Sequence, residues 1–253
     1  MKLGLEDRVA LVTGASRGIG LAIAAALAAE GAKVALAARG TEALNAARAA
    51  ISGQSSIHIA DVTDPAAAAA LVQDVERQWG RLDVLVCNVG SGASVPPGKE
   101  TAAEWSRLMN LNFFASTNTI EAARPLMARG SGDRSIICIS SIAGMAALGA
   151  PVTYYAAKAA LNATVRGLAR PLALDGIRIN AVAPGNILAA DGTWARKLAE
   201  NRAAVEDMLA REVALRRLGK PEEIADLVAF LASPRATFIT GSVMVADGGQ
   251  LRS

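Results

Sequence analysis

The feature that most constrains the fold is a glycine-rich turn between a strand-like run and a helix-forming run. Residues 8–13 read RVALVT, the turn follows as GASRGIG, and LAIAAALAAEGAK comes next. A short apolar run predicts a buried strand, and the alanine-rich run favours a helix. Gly14, Gly18 and Gly20 let backbone N–H groups approach a phosphate, and the helix N-terminus adds partial positive charge. This context predicts a dinucleotide site.

The same alternation of strand and helix patterns continues along the chain. Further strands are predicted at KVALAA, SIHIADV, LDVLVCNVG, RSIICIS, GIRINAVAPG and GSVMVADGG. Such alternation predicts an α/β fold, a doubly wound parallel sheet of about seven strands with helices on both faces. We expect residues 1–253 to form a single Rossmann-type domain, because no repeat or linker divides them. A long helical pattern covers residues 101–129, in which Pro125 should mark a kink or an end.

Composition and charge argue against several other classes of protein. The net charge of +3 comes from scattered Lys and Arg residues, without the basic run expected of a nucleic-acid surface. The most apolar run, IGLAIAAALAA, is shorter than the roughly 20 residues of a membrane span, and the N-terminus lacks a signal-peptide pattern. Two isolated cysteines and a single histidine, His58, predict neither a metal site nor a disulfide. We therefore expect a soluble, cytoplasmic protein.

Residues after the second and third strands bear on the nucleotide. A fold of this kind places the residue that faces the adenosine ribose at the end of the second strand, where Ala38 is neutral and Arg39 follows. Arg17 lies in the glycine turn on the same side. Guanidinium groups there would bind a 2′-phosphate, which predicts NADP(H) rather than NAD(H), unless these arginines only cap helices or face solvent. Asp61 should end the third strand and contact adenine with Val62, with turn formation as the competing explanation.

Groups suited to proton transfer occur together in residues 140–158, SSIAGMAALGAPVTYYAAK. Tyr154 and Lys158 are four residues apart, so on a helix they share one face at about 5 to 6 Å. A neighbouring ammonium would lower the phenol pKa from roughly 10 and make proton exchange efficient near neutral pH. Ser141 could bind the same substrate oxygen. A Tyr and a Lys at this spacing also occur by chance, and spacing alone does not exclude Tyr155 or Ser140.

Two other segments are expected to border the substrate. Residues 91–99, SGASVPPGK, form a Gly/Pro/Ser loop after the fourth strand, which Asn88, Val89 and Gly90 should end. Residues 186–217 break the alternation and are interpreted as a substrate lid. Several apolar side chains favour a hydrophobic substrate if they line the pocket, although all could be core or interface residues: Ile142, Met145, Leu148, Trp194 and Met208.

With these residues identified, the chain resembles the short-chain dehydrogenase/reductase family over nearly its full length. TGASRGIG resembles the family's cofactor turn, NVG at residues 88–90 its Asn-Ala-Gly segment, and PG at residues 184–185 and VADGG complete the pattern. Four residues fall in the order and spacing of the family's catalytic tetrad: Asn112, Ser141, Tyr154 and Lys158. The resemblance thereby selects Tyr154 over its neighbour Tyr155, and Ser141 over its neighbour Ser140.

The resemblance implies transfer of the pro-S hydride between nicotinamide C4 and a carbonyl carbon. Tyr154 would be the general acid or base, and Ser141 would orient the substrate oxygen. Lys158 would lower the Tyr154 pKa and hold the nicotinamide ribose, while Asn112 would position a water that relays protons. The cofactor is expected to contact Gly14, Ser16, Arg17, Gly18, Ile19, Gly20, Arg39, Asp61, Val62, Asn88, Gly90, Tyr154, Lys158, Pro184, Gly185 and Ile187.

Within the family, the sequence looks most like the 3-oxoacyl-thioester reductases. This implies a carbonyl substrate, free or linked to acyl carrier protein or CoA, and a homotetramer or homodimer. An alcohol, sugar or steroid dehydrogenase and a catalytically silent NADP(H)-binding sensor are the alternatives. Three residues depart from the family pattern. Cys87 replaces an Asn, and Ala189 stands where many members have a Thr that bonds the nicotinamide carboxamide. Asp175 would repel an acidic acyl carrier protein, unless Arg129, Arg166 and Arg170 compensate for its charge.

Overall fold

The chain folds around a seven-stranded parallel sheet with helices on both faces. The computed structural model describes residues 2–190 and 192–252. The strands are Val9–Thr13 (β1), Lys33–Ala38 (β2), Ser55–Ile59 (β3), Val84–Cys87 (β4), Arg134–Ile139 (β5), Ile177–Pro184 (β6) and Val243–Ala246 (β7). The α-helices are Gly18–Ala29 (α1), Thr41–Ala49 (α2), Pro65–Trp79 (α3), Ala102–Met109 (α4), Ala115–Arg129 (α5), Val152–Leu174 (α6), Thr193–Glu200 (α7), Arg202–Glu212 (α8) and Pro221–Ala232 (α9). Within the described ranges, no helix has the length and apolar character needed to cross a membrane.

The strand order places a crevice at the carboxyl edge of the sheet. The order is β3-β2-β1-β4-β5-β6-β7, and all neighbours are parallel. This confirms the doubly wound architecture predicted from the sequence. The order reverses between β1 and β4, and ligands of open parallel sheets bind at such a reversal. Thr13 and Cys87, the last residues of these two strands, therefore mark the expected site.

Side chains of the central strands alternate between two hydrophobic cores, one on each face of the sheet. Val12 and Val86 point into the core that includes α1 and α9. Leu11 and Leu85 point into the core that includes α3, α5 and α6. Because both faces are buried, these strands need nearly continuous apolar sequence, and this made them recognisable.

Two strands end earlier than the sequence pattern predicts. β3 ends at Ile59, so the prediction that Asp61 ends this strand is wrong. The Asp61 carboxylate accepts hydrogen bonds from the backbone N–H and hydroxyl of Thr63, at 3.1 and 2.7 Å, and so begins a turn. Likewise, β4 ends at Cys87 rather than at Gly90.

The helical pattern at residues 101–129 is interrupted, but not at Pro125. A π-helical turn at Asn110–Phe114 joins α4 to α5. Pro125 lies inside α5, which continues to Arg129, so of the two predicted alternatives, a kink or an end, the end is wrong. A π-helical turn contains one residue more than an α-helical turn and is frequent at functional sites. Asn112 lies in this turn and is fully buried.

The segment at residues 186–217 contains two short helices, α7 and α8. Asp191, which belongs to this segment, lies outside the described residues. α7 buries none of its residues, whereas α8 buries Val205 and Leu209 in a small cluster with Val213. The segment therefore has an apolar cluster of its own, separate from the two cores of the sheet.

A buried carboxylate holds the amino-terminal edge of the sheet. Asp83, 1% exposed, accepts hydrogen bonds from the Val9 N–H at 2.9 Å and from the Arg81 guanidinium at 2.7 and 2.9 Å. Arg8 adds an ion pair at 3.6 Å. These partners offset the cost of burying the charge and tie β1 to β4 at the edge opposite the crevice.

Candidate active site

The glycine-rich turn after β1 is shaped by contacts that exclude side chains. Gly14 and Gly18 have φ angles of 64° and 57°, in the left-handed region that glycine adopts without strain. A Cβ on Gly20 would lie 2.3 Å from the Gly14 carbonyl oxygen. α1 can therefore approach the turn this closely only with glycine at position 20.

The N-terminus of α1 has no side chain that competes for its first N–H groups. Arg17, the N-cap residue, is extended and makes no side-chain capping bond, and the first turn contains no acidic residue. Ser16 and Ile19 in this turn are partly exposed. Free helix N–H groups and the helix dipole favour a phosphate. The turn consequently fits the pyrophosphate of a dinucleotide.

Asn88 binds the turn from the neighbouring strand. Its Nδ2 donates to the carbonyl oxygens of Thr13 and Gly14, both at 3.1 Å. Its backbone N–H donates to the Thr13 hydroxyl at 3.1 Å, and that hydroxyl donates to the Val86 carbonyl at 3.2 Å. Thr13 is the first residue of the TGASRGIG turn, and its contacts with Asn88 and Val86 were not predicted from the sequence.

The residues predicted to face the adenosine lie at the ends of β2 and β3. Arg17 and Arg39 are both exposed, and Arg39 forms an ion pair with Asp61 at 3.7 Å. Hydrogen bonding from Thr63 is the main cause that lowers the pKa of Asp61, and Arg39 contributes to the lowering. Val62, next in sequence, is buried. The side chains of this ion pair are 75% and 45% exposed, so the pair is screened by solvent and contributes little to stability.

Tyr154 and Lys158 share one face of α6, as their spacing predicts. Lys158 Nζ lies 5.9 Å from the centre of the Tyr154 ring. The same ammonium donates a hydrogen bond to the Ile139 carbonyl at 2.8 Å. Burial lowers the pKa of Lys158 to about 8. The charge of Lys158 is therefore maintained at neutral pH by a narrow margin.

The pKa of Tyr154 shifts in the direction opposite to the one expected from the sequence. Burial of the phenol raises its pKa, and hydrogen bonding with Ser141 lowers it in part. The net shift is therefore upward, opposite to the lowering expected from the sequence. The Lys158 ammonium lies over the ring, and burial lowers its own pKa. Tyr154 therefore holds its proton more tightly than an exposed tyrosine.

Asn112 connects the helical layer to the loop after β4. Its Oδ1 accepts from the Ser91 N–H at 2.9 Å, and its Nδ2 donates to the carbonyl oxygens of Ser91 and Leu108 at 3.0 and 3.2 Å. A Cβ on Gly90 would lie 2.8 Å from Asn112 Oδ1 and 3.1 Å from Lys158 Nζ. The structure thus brings Asn112 and Lys158 together beside Gly90.

The two neighbouring serines have different surroundings. The Ser140 hydroxyl is buried and donates to Asn162 Oδ1 at 2.6 Å. Ser141 is partly exposed, and its hydroxyl accepts from the Ala143 N–H at 3.1 Å, which begins a short 3₁₀ turn. Of the two, Ser141 is the one whose hydroxyl is within reach of Tyr154.

The two neighbouring tyrosines also differ in their contacts. The Tyr155 hydroxyl accepts hydrogen bonds from the backbone N–H groups of Leu148 and Ala150, at 2.5 and 2.6 Å. Tyr154 instead packs its ring against the loop after β4, since a Cβ on Gly92 would lie 3.9 Å from the ring. The hydroxyl of Tyr155 is therefore engaged by backbone, whereas Tyr154 lies beside the predicted proton-transfer groups.

The chain after β6 returns over the glycine turn. Pro184 ends β6, and a Cβ on Gly185 would lie 2.7 Å from the backbone that follows β7. Ile187 and Ala189 come next, and the Ala189 methyl would be 3.5 Å from a Cβ on Gly18. The predicted contact residues from β6 thus lie beside those from β1.

Cys87 and Cys138 face each other at the carboxyl ends of β4 and β5. Both are buried and free. Hydrogen bonding with Cys138, reinforced by burial, raises the pKa of the Cys87 thiol well above its ordinary value. A buried neutral thiol is a poor nucleophile, so the pair is a reduced packing contact, as the sequence indicated.

The segment at residues 88–92 links the nucleotide turn to the proton-transfer residues. Asn88 binds the turn, Gly90 lies beside Lys158, and Gly92 lies beside Tyr154. A nucleotide on the turn and a substrate at Tyr154 would therefore meet across one short stretch of backbone. This arrangement can move a proton at the point where a bound nicotinamide would exchange a hydride.

Comparisons with known proteins show relatives over nearly the whole chain, in agreement with the family resemblance of the sequence. A family model described as enoyl-(acyl carrier protein) reductase matches residues 14–250. The chain is 36% identical over 247 residues to the 3-oxoacyl-(acyl-carrier-protein) reductase FabG of Escherichia coli (strain K12), with 98% of each protein covered. It is similar to the L-sorbose reductase of Gluconobacter frateurii solved with NADPH and L-sorbose, with a TM-score of 0.92, 31% identity and 100% of both chains covered. A 7α-hydroxysteroid dehydrogenase solved with NADH and 7-oxo glycochenodeoxycholic acid has a TM-score of 0.91 and 30% identity, covering 100% of this chain and 97% of that chain.

Proposed function

Because the chain belongs to the short-chain dehydrogenase/reductase family of oxidoreductases, we propose that it transfers a hydride between NADP(H) and a carbonyl or secondary alcohol. The observation that carries this proposal is the position of Tyr154 and Lys158, joined through residues 88–92 to a turn that fits a pyrophosphate. The nicotinamide, when bound, supplies the hydride for reduction or accepts it in oxidation. The residues of the chain supply binding, orientation and the proton.

Tyr154 is proposed to be the proton donor in reduction and the acceptor in oxidation. Its raised pKa keeps the phenol protonated at neutral pH, which suits donation to the oxygen of a carbonyl compound. Ser141, whose hydroxyl is within reach of Tyr154, would orient the same oxygen. Lys158 would stabilise the phenolate that forms when the proton leaves, and Asn112 would hold the backbone that borders Lys158.

The two arginines at the adenosine edge support a preference for NADP(H). Arg39 is paired with Asp61 across 3.7 Å in an exposed position, so it can turn towards a phosphate at little energetic cost. Arg17 is exposed beside the turn and caps no helix through its side chain. A 2′-phosphate would gain two charge-assisted contacts that a 2′-hydroxyl would not.

Binding of the two nucleotides to Arg39→Ala and Arg17→Ala tests this preference. Each variant should lose about tenfold or more in affinity for NADPH and change little towards NADH, because only the phosphate contact is removed. Binding is measured by fluorescence or calorimetry, and NADH is the internal control for damage to the turn. Wild-type protein that binds NADH more tightly than NADPH would rule out the assignment.

We propose that the substrate is a 3-oxoacyl thioester or a similar β-keto compound. Exposed apolar side chains near the proposed active site support an apolar acyl group: Met145 is 45% exposed and Leu188 is 40% exposed. The relationship to FabG favours the same substrate class. The similarity to L-sorbose reductase favours a second candidate, a polyol or sugar oxidised at a secondary alcohol.

The charges on α6 bear on whether the thioester is linked to an acyl carrier protein. Asp175 at the end of α6 is paired with Arg124 at 2.7 Å, so its charge is largely compensated. Arg129 is already paired with a glutamate, whereas Arg166 and Arg170 are exposed on α6. Reversal of Arg166 and Arg170 to Glu should raise KM for acetoacetyl thioesters of the carrier protein but leave KM for acetoacetyl-CoA unchanged.

Oxidation of NADPH by a panel of carbonyl compounds is the direct test of function. The panel contains acetoacetyl thioesters, diketones and quinones, and the reverse reaction is assayed with secondary alcohols and sugars. Turnover of thioesters supports the proposal. If no thioester is reduced, this substrate class is excluded, and alcohol oxidation would then support the second candidate. Cofactor binding without turnover of any compound would indicate a catalytically silent NADP(H)-binding sensor.

Tyr154→Phe tests the proton-transfer role. The variant should bind NADPH as the wild type does and lose about 100-fold to 10,000-fold in kcat, because only the hydroxyl is removed. Rates close to those of the wild type would contradict the assignment.

We further propose that residues 186–217 act as a lid over the substrate. Asn186 at the base of the segment contacts the Met208 sulfur on α8 at 3.8 Å, so the base and the helices can move together. Addition of NADPH with substrate should slow amide hydrogen exchange in α7 and α8 relative to NADPH alone. Unchanged exchange would argue against closure.

A homotetramer or homodimer formed through the helices that carry Asn112 and Tyr154 is the proposed assembly. Trp105 and Phe114 on the first of these segments are 36% and 43% exposed, which leaves an apolar surface for a second copy. Light scattering after size-exclusion chromatography measures the assembly, and Trp105→Glu should shift it towards the monomer.

A further inference from the structure

We propose that the two residues that flank Tyr154 in the sequence, Thr153 and Tyr155, are positioning residues that hold the two walls of the substrate mouth. The walls are the β4–α4 loop, residues 88–101, and the β5–α6 loop, residues 140–151. This inference rests on the function proposed above. It assigns to the first turn of α6 a role in selecting substrates, in addition to the proton transfer assigned to Tyr154.

Thr153 anchors the β4–α4 loop through a chain of hydrogen bonds. Its hydroxyl is fully buried and lies 2.9 Å from the Ser94 hydroxyl, which donates to Glu104 Oε1 at 2.6 Å. An ionised carboxylate only accepts, so Ser94 gives its proton to Glu104 and accepts that of Thr153. Arg107 binds the same carboxylate and also the Ala93 carbonyl at 2.9 Å, which fixes the loop at two successive residues.

The charge of Glu104 keeps this chain of hydrogen bonds directed. Arg107, and after it Ser94, lower the pKa of Glu104 to about 2. Glu104 therefore remains an acceptor at any pH at which the protein would be assayed. Thr153 has no alternative to donating towards Ser94 in this arrangement, which links α6 firmly to the loop.

Tyr155 anchors the β5–α6 loop through backbone groups. Its hydroxyl oxygen accepts from the N–H groups of Leu148 and Ala150 at 2.5 and 2.6 Å. Gly149 between them has a φ angle of 77°, which curls the loop around the hydroxyl. Met145 in the same loop is 45% exposed, and Leu148 is partly exposed. The phenol of Tyr155 thus sets where these apolar side chains lie.

The helix geometry explains why three successive residues serve three different partners. Successive side chains on an α-helix point about 100° apart. Thr153 therefore reaches one loop, Tyr155 reaches the other, and the Tyr154 ring lies between them with Gly92 against it. Loss of either anchor would move one wall relative to the Tyr154 hydroxyl and leave Tyr154 itself in place.

Steady-state kinetics of Thr153→Val and Tyr155→Phe test the proposal. Both substitutions keep the shape of the side chain and remove the hydroxyl. For a bulky apolar 3-oxo compound, KM should rise about tenfold, while kcat should change by less than about twofold. For a small methyl ketone that does not reach the walls, KM should change by less than about twofold. Affinity for NADPH should stay at the wild-type value.

Matched variants separate positioning from general damage. Thr153→Ser keeps the hydroxyl and should restore KM for the bulky substrate. Thr119→Val removes a different fully buried hydroxyl, which bonds only within α5, and should alter neither KM. Equal losses for bulky and small substrates, or a fall in kcat and cofactor affinity together, would overturn the proposal, because that is the pattern of a merely structural role.

Hydrogen exchange gives a readout that does not depend on turnover. The amides of Leu148 and Ala150 should exchange faster in Tyr155→Phe than in the wild type, because they lose their acceptor. Unchanged exchange would overturn the assigned anchor even if kinetics were altered. If the wild-type protein reduced no carbonyl compound, the function proposed above would fail, and the exchange rates would still decide whether Tyr155 holds the loop.

Discussion

Replacement of Lys158 by methionine should change how the stability of the fold depends on pH. Lys158 is 3% exposed, and burial lowers its pKa from 10.5 to about 8. The unfolded chain therefore binds this proton more tightly than the folded protein does. Because of this, the ammonium destabilises the folded state below pH 8, and the penalty is relieved as the pH rises towards 10.5.

The size of the effect follows from these two pKa values. Between pH 7 and pH 9.5 the difference in proton binding adds about 2 kcal/mol to the free energy of unfolding of the wild type. Lys158→Met lacks the titrating group and should not show this gain. The variant also loses the hydrogen bond to the Ile139 carbonyl, but that loss shifts its stability by the same amount at every pH. The difference between the pH dependences of the two free energies of unfolding therefore reports the titration of Lys158 alone.

Urea unfolding followed by tryptophan fluorescence, at one fixed protein concentration, measures this difference. The upper limit of pH 9.5 avoids the titration of Tyr154, whose raised pKa would make stability fall with pH. Lys99→Met at an exposed loop position controls for removal of a lysine. Parallel stability curves for wild type and Lys158→Met would refute a buried ammonium with a lowered pKa.

Three further substitutions have expected outcomes. Gly20→Ala places a Cβ 2.3 Å from the Gly14 carbonyl oxygen, so it should lower the free energy of unfolding by about 1–3 kcal/mol and weaken NADPH binding. In the control Gly40→Ala the added Cβ meets no atom within 4 Å, so neither stability nor binding should change. Calorimetry measures both quantities. Asp83→Ala removes the common partner of two arginines and a backbone N–H and should lower the free energy of unfolding by about 3–5 kcal/mol; a loss below 1 kcal/mol in urea would contradict this. Ser140→Ala removes the buried hydrogen bond to Asn162 and should lower the free energy of unfolding by about 1–3 kcal/mol, while its kcat changes little. Ser141→Ala should instead lower kcat. A large fall in kcat for Ser140→Ala would reverse the assignment of the two serines.

The elements that the sequence predicted well carry local signals. The bounds of β2 match the predicted strand KVALAA. α3 begins at Pro65 after Asp64, whose carboxylate accepts from the Ala66 N–H, and ends before Gly80, which has a φ angle of 70°. These start and stop signals act within a few residues, so they can be read from the chain.

The ends of β3 and β4 were harder to predict for two different reasons. Asp61 leaves its strand because it bonds to Thr63, a local turn that the sequence left open as an alternative. Asn88 bonds to Thr13 and Gly14, which are more than seventy positions away in the chain. Only the folded sheet brings these groups together, so no local pattern could reveal the contact.

The sequence predicted which residues form the site but not how their pKa values are shifted. The spacing of Tyr154 and Lys158 placed both on one helix face, and the family pattern selected them. The sign of the Tyr154 pKa shift depends on burial, which outweighs the hydrogen bond with Ser141 and can be judged only from the packed structure. The anchoring role of Tyr155 depends on two backbone N–H groups whose positions follow from the fold.

The π-helical turn at Asn110–Phe114 acts as a phase shift in one long helix. Leu108 and Ala115 are both buried and are seven residues apart, so in an uninterrupted α-helix they would lie on nearly the same face. The extra residue rotates α5 by about 100° relative to α4, which lets α4 pack on α6 while α5 packs on α3. Deletion of one residue in this turn would restore the phase and turn the apolar side of α5 away from α3. The length of this helix is therefore fixed by its packing on α6 and on α3 at once, and Asn112 occupies the position where the two phases meet.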